Sequence, residues 1–330
     1  MKSFLKEFLR DTPSEGGAAP RICLGAFGKH PAWDDHMDDI GLETESLVAA
    51  KRLLYQQGIG SQLDSGAWEK LDAEARLPAI HHEFVWVREK QLLAGRMWPS
   101  ADGKRRALYP MVACVQGFDM GAATAIEHIL PQLQATESLC RATGSPAKVR
   151  EIIKDARERC AEAASAGAGT DEGPLDFAFG ENFIRGPLAR VLREARTLMA
   201  SYWRGRFRER AEAPAVSIRV PAPADNAAHN LLFWHRFFAA IIAVESPLLL
   251  IKPLGHPWLD VIAGEPTAQE FFSLRAAPPA IPILGESAGE TDEHEQQEAL
   301  SLWDVIKDPD GGKEWAGLSQ GRPWFKKIFG

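Results

Sequence analysis

The chain has 330 residues, 45% of them hydrophobic and 25% charged, with 38 basic against 45 acidic side chains and a formal net charge of −7. That composition excludes wholesale disorder and fits one large or two modest globular domains. The negative balance argues against nucleic acid as a partner, because neutralising phosphates needs a basic surface.

Four cysteines, Cys23, Cys114, Cys140 and Cys160, form no CxxC pair, and two of them sit in apolar strand-like runs. They read as buried thiols in a reducing compartment, with the cytoplasm as the expected location. The opening residues, MKSFLKEFLR, are interrupted by charge and do not resemble a signal peptide. The most apolar later stretch, Leu231 to Ile251, contains His235, Arg236, Glu245 and Pro247, so no membrane span is expected.

In chain order, Phe4, Leu5, Phe8 and Leu9 make one apolar stripe, followed by breaker-rich Thr12 to Pro20, so residues 1–20 read as an amphipathic arm. Residues 21–28, RICLGAFG, read as a first strand ending at glycine, and 29–36, KHPAWDDH, as an irregular loop. A helix is expected from Glu43, with Leu47, Val48, Lys51, Leu54 and Tyr55 on one face and a stop at Gly58 and Gly60. Trp68 to Ala75 adds another turn or two of helix.

Glu83 to Arg88 alternates around β-favouring residues, and only Glu89-Lys90 separates it from the stretch that organises the chain, 91–116. There two apolar runs, 91–98 and 107–116, flank Pro99-Ser100-Ala101-Asp102-Gly103, predicting a hairpin closed by one tight turn. The second run is almost continuously apolar, which predicts burial on both faces, with Met111 to Val115 in the core. The three strands together form an antiparallel meander.

Thr124 to Leu139 reads as a helix, with Pro131 weakening it or setting its boundary. Ala147 to Ala164 reads as a clearer one, with Val149, Ile152, Ile153, Ala156 and Cys160 on one face. Ser165 to Gly173 reads as a linker and Leu188 to Trp203 as a further helix, making a helical middle at 147–203. Then follow a strand at 215–221, an apolar helix at 230–244, strands at 247–253 and 258–262, and a closing helix at 266–274. Beyond Arg275 the chain turns Pro/Ala/Gly-rich and then strongly acidic, which reads as a tether outside the core with an aromatic tail around Trp324, Phe325, Ile328 and Phe329. The expected fold is α/β of the α+β kind, a central largely antiparallel sheet flanked by helices over 21–275, with appended segments at 1–20 and 276–330.

Leu24-Gly25-Ala26-Phe27-Gly28-Lys29-His30-Pro31, then Gly95-Arg96-Met97-Trp98-Pro99-Ser100-Ala101-Asp102 and Tyr109-Pro110-Met111, resemble the TagF family of type VI secretion accessory proteins. Members carry a Gly-Lys-x-Pro loop after a short strand, a Met-x-Pro-Ser-x-Asp turn, and an aromatic-Pro step into an apolar strand. The resemblance covers roughly Arg21 to Gln116. In place of the family's Gly-Asp-Phe step this chain has Trp33-Asp34-Asp35-His36. The resemblance implies a cytoplasmic regulator without catalytic activity or cofactor, restraining type VI secretion after translation by binding a forkhead-associated scaffold protein.

His30, Asp34, Asp35, His36, Asp38 and Asp39 are the densest group of metal-ligating or acid/base side chains, and a metal-dependent hydrolase on this loop is the alternative, beside a polar loop whose aspartates cap turns. A general assembly adaptor is a further alternative. In His81-His82-Glu83, strand alternation sends neighbouring side chains to opposite faces, favouring a structural role. Gly25 to Lys29 lacks phosphate-loop spacing, so no nucleotide is expected. Lys104-Arg105-Arg106, with Arg96 and beside Trp98, reads as a basic spot at the hairpin tip that is either a solvated turn or a receptor for an acidic or phosphorylated segment. The residues nominated for partner contact are therefore Lys29, His30, Trp33, Asp34, Arg96, Trp98, Arg105 and Arg106, with Trp324 and Phe325 either anchoring a partner or folding back on the core. The oligomeric state is left open.

Overall fold

The structure, a computed structural model, describes residues 21–88, 91–167, 174–176, 179–198, 215–223, 225–241, 247–286 and 289–308. Seven strands, β1 (Ile22–Gly28), β2 (His82–Arg88), β3 (Gln91–Trp98), β4 (Met111–Phe118), β5 (Val216–Pro221), β6 (Leu248–Pro253) and β7 (Trp258–Ala263), form one sheet in the order β1-β4-β3-β2-β6-β7-β5. Every pair is antiparallel. The expected mixed fold with a largely antiparallel sheet is present, and β2-β3-β4 is the expected meander.

Alternate residues of the strands divide between two cores. Leu24, Ala26, Val85, Ala94, Met111, Ala113, Val115, Leu250 and Val261 point into one, and Phe27, Phe84, Trp86, Leu93, Val112, Cys114, Leu249 and Ile262 into the other. Both faces are covered, which is why the strands read as unbroken apolar runs even in an antiparallel sheet. Residues 111–115 are fully buried and lie on an interior strand. All four cysteines are free and buried.

The thinner layer is α1, which is α-helical over Glu45–Ala50, π-helical over Lys51–Ile59 and α-helical again over Gly60–Asp64. Thr44 caps it by accepting from the Leu47 N–H. The expected stop at Gly58 and Gly60 is thus corrected: the helix runs through both, and a Cβ at Gly58 would stand 2.6 Å from the Phe271 ring that packs there. Val48, expected on the buried face, is exposed. The expected helices at 68–75 and 266–274 shrink to short 3₁₀ turns, Ala73–Ala75 and Glu270–Leu274.

The thicker layer holds α2 (Ala122–Thr124, then π-helical Ala125–Ile129, then Leu130–Arg141), α3 (Pro146–Ala166) and α4 (Glu181–Phe183, π-helical Ile184–Leu188, continuing to residue 198). It is completed by α5 (Ala227–Ile241) and α6 (Glu293–Lys307). One π segment ends just before Pro131 and another contains Pro187. A widened turn accommodates a ring that brings no N–H, so the chain passes Pro131 as a continuous helix.

The acidic stretch beyond Arg275 is where the sequence misleads most. Ala276, Ala277 and Ile283 are buried, and Ala276 bridges to Arg76. The run from Glu293 is α6, opened by a capping box between Asp292 and Glu295, with Ala299, Leu302, Trp303 and Ile306 buried. Its acidic side chains meet arginines of α4, Glu295 with Arg193 at 3.1 Å and Glu298 with Arg196 at 2.6 Å. The tether is corrected to a packed layer element over the described residues. The arm 1–20, the linker residues 168–173, the end of the helix predicted to Trp203 and the tail with Trp324 and Phe325 lie outside the described residues.

Candidate functional site

The connection from β3 to β4 is residues 99–110, longer than the tight turn expected. Pro110 offers no N–H and biases Tyr109 away from helix, so the second strand starts at Met111, paired with Trp98. Gly28, at the end of β1, lies against this connection with φ 117, and a Cβ there would come within 2.3 Å of the Pro110 carbonyl oxygen. Both loops therefore leave the sheet at one end, and only glycine permits their approach.

Lys29 is buried and its Nζ donates to Asp102 Oδ2 at 2.5 Å and to Asp35 at 3.4 Å. Asp102, also buried, accepts the backbone N–H groups of Lys104 (3.0 Å) and Arg106 (2.9 Å) on Oδ1 and Arg106 Nε (2.7 Å) on Oδ2. Burial alone would raise this carboxyl, but the hydrogen bonds from Lys29 and from Arg106 hold it well below the usual range. Arg106 reaches across to Asp35 (3.1 Å) and to the Asp34 carbonyl (2.9 Å), while Gly103 N–H donates to the Trp33 carbonyl at 2.6 Å. The two loops form one charged double loop with Asp102 at its centre.

His30 lies beneath. Its Nδ1 accepts from Ala32 N–H, so Nε2 carries the proton and donates to the Cys140 carbonyl at 2.9 Å. Burial lowers its pKa and the Cys140 contact works against that, leaving a neutral ring. Trp33 bonds Asp38 at 3.3 Å, and Arg150 of α3 stacks 5.6 Å over the Trp33 ring while pairing with Asp38 at 2.5 Å. His36 meets Asp35 at 3.2 Å through Nδ1, and its ring lies edge-on to Tyr109 (5.2 Å) and Tyr55 (5.9 Å). The two histidines serve different neighbours, and among the described residues no group of three His, Cys, Asp or Glu side chains is placed to hold a metal.

Of the residues nominated from sequence, the fold brings Lys29, Asp34 and Arg106 together, with His30 and Trp33 supporting them and Arg105 at the tip. Arg96 and Trp98 are corrected: both are buried and cannot touch a partner. Strand alternation turns Arg96 inward, where Nε donates to Glu137 of α2 at 2.5 Å and Nη1 to Glu83 of β2. Trp98 sits in the larger core. Sequence reasoning took Asp102 as a turn residue and missed it as the hub. Its spacing to Lys104 and Arg106, an aspartate whose carboxylate can catch the N–H two and four residues on, was the available signal.

A separate cleft of about 860 Å³ beside α4 and α6 is lined by Arg185 and Arg190 against Glu286 and Glu290. Among the described residues no helix is long and apolar enough to cross a membrane.

Fold and surface together define a three-layer α+β domain, its antiparallel sheet carrying a fixed, charged double loop at one end. Neither the family models nor the curated proteins compared with the chain match it.

Proposed function

We propose that the protein is a non-enzymatic, cytoplasmic regulator of type VI secretion, acting after translation by binding a forkhead-associated scaffold through the double loop. The observation that carries this reading is that motif segments resembling the TagF family, some seventy residues apart in sequence, meet in space. Gly28-Lys29 touches Pro110 and Asp102: Lys29 N–H donates to the Pro110 carbonyl at 3.2 Å and Lys29 Nζ to Asp102. Residue types that recur for a catalytic purpose would converge on a reacting atom, whereas these are spent on fixing the shape of a surface. Exposed loops held by a stable scaffold are where recognition is most often built.

The experiment is titration of the purified chain into the purified scaffold, with deletion of the gene in a secreting strain as its cellular counterpart. Saturable binding, and increased effector release on deletion, support the reading. Absence of binding together with unchanged release overturns it.

A further inference from the structure

Residues 103–108 are six consecutive exposed positions at the tip of the double loop, and two features set them apart from an ordinary solvated turn. Arg105 has φ 65, a left-handed conformation that a non-glycine side chain adopts at a cost, and it is held there from both sides. Arg105 N–H donates to the Asp102 carbonyl at 2.8 Å, and the flanking Lys104 and Arg106 N–H groups are held by the Asp102 carboxylate. Lys104 and Arg105, moreover, have no carboxylate partner among the described residues, while Arg106 beside them has two. Three residues after Arg105 in the same exposed run comes Leu108, 60% exposed and the most exposed large hydrophobic side chain described.

We infer that residues 103–108 are a docking surface for an acidic linear segment of a protein partner, its carboxylates meeting Lys104 and Arg105 and an apolar side chain covering Leu108. The inference rests on the protein-binding reading of the double loop and names the chemistry of what binds. A cationic tip with no carboxylate partner among the described residues, on a chain of net charge −7, offers an anionic segment a local opposite charge. Fixing the loop in advance removes most of the ordering cost of binding. The guanidinium and the ammonium supply donors that a carboxylate accepts directly.

The test uses the full chain and a short synthetic peptide of Glu, Asp and Leu, followed by titration in low and high salt, and then the scaffold itself. The wild type is expected to bind the peptide in a salt-sensitive way, Lys104→Glu/Arg105→Glu to lose about tenfold or more in affinity, and Leu108→Ala to lose less without changing the salt dependence. Unchanged thermal unfolding shows that the variants are folded. Equal peptide binding by wild type and double variant, or no binding by the wild type, overturns the inference. A scaffold bound equally by both proteins overturns it while leaving the regulator reading intact, and a wild type that binds the acidic peptide but no scaffold sinks the regulator reading alone.

Discussion

Replacing Arg96 by alanine tests whether the charges at the end of the sheet are balanced as described. The guanidinium bonds Glu137 and Glu83, whose side chains are only 7% and 8% exposed, so its removal strands two buried carboxylates. Breaking a buried pair on one side costs about 3–5 kcal/mol. Arg141 still reaches Glu137 at 2.8 Å, and the Lys252 charge lies on the facing strand opposite Glu83, although its ammonium bonds the Pro253 and His256 carbonyls, which puts the expectation at the low end, about 3 kcal/mol at neutral pH. Urea denaturation reads this as a midpoint lowered by about 1 M, for a slope of about 3 kcal/mol per molar. The pH dependence has a definite sign. Burial would raise the Glu137 carboxyl, yet hydrogen bonds from His81 and Arg96 bring it down to about 2 from its ordinary 4.5. A carboxyl depressed in the folded state stabilises fully above 4.5, and that contribution is lost as the pH falls from there toward 2. Without Arg96 part of the depression is gone, the His81 bond remaining, and Glu83, already raised by burial, rises further. Wild type and variant should therefore approach one another on acidification, the gap narrowing by about 1 kcal/mol toward pH 3. A gap below 1 kcal/mol at pH 7, or one that stays constant into acid, would refute the argument.

Two further substitutions probe packing. A Cβ at Gly95 would lie 2.1 Å from Cζ of the cross-strand Phe84, so Gly95→Ala is expected to cost about 1–3 kcal/mol, with the loss largely recovered when Phe84→Leu is added. Strict additivity in the urea midpoints of that cycle would remove the ring-over-glycine explanation. Trp303, 5.5 Å from the Phe179 ring and 5.8 Å from Phe233, should cost about 3–5 kcal/mol when cut to alanine, and residues 293–307 should resist limited proteolysis in the native protein. Rapid native cleavage inside 293–307 would restore the tether.

What the sequence disclosed is what periodicity can carry. The meander was readable because β-favouring runs follow one another with few residues between, and the burial of 111–115 because no polar residue interrupts them. What it concealed depended on partners far along the chain. Arg96 looks solvent-exposed until Glu137, 41 residues on, is placed above it. Glu295 and Glu298 look like a solvated tether until Arg193 and Arg196, about a hundred residues earlier, stand opposite. In the double loop, Lys29 and Asp102 are 73 residues apart, and no pattern of spacing announces their bond. Individual loop residues could be nominated, but the way they assemble could not.

The sheet has a single seam between its two halves, the pairing of β2 with β6 from His82↔Pro253 to Val87↔Leu248. The strands β1 to β4 are complete by residue 118, yet the partner for their outer member is not synthesised until about 130 residues later. During that interval Phe84, Val85 and Trp86 sit on an unpaired margin able to recruit any stray strand. Chain growth from the ribosome thus passes through a vulnerable half-built stage, and a product terminated before residue 248 should be an aggregator, however well its first four strands assemble.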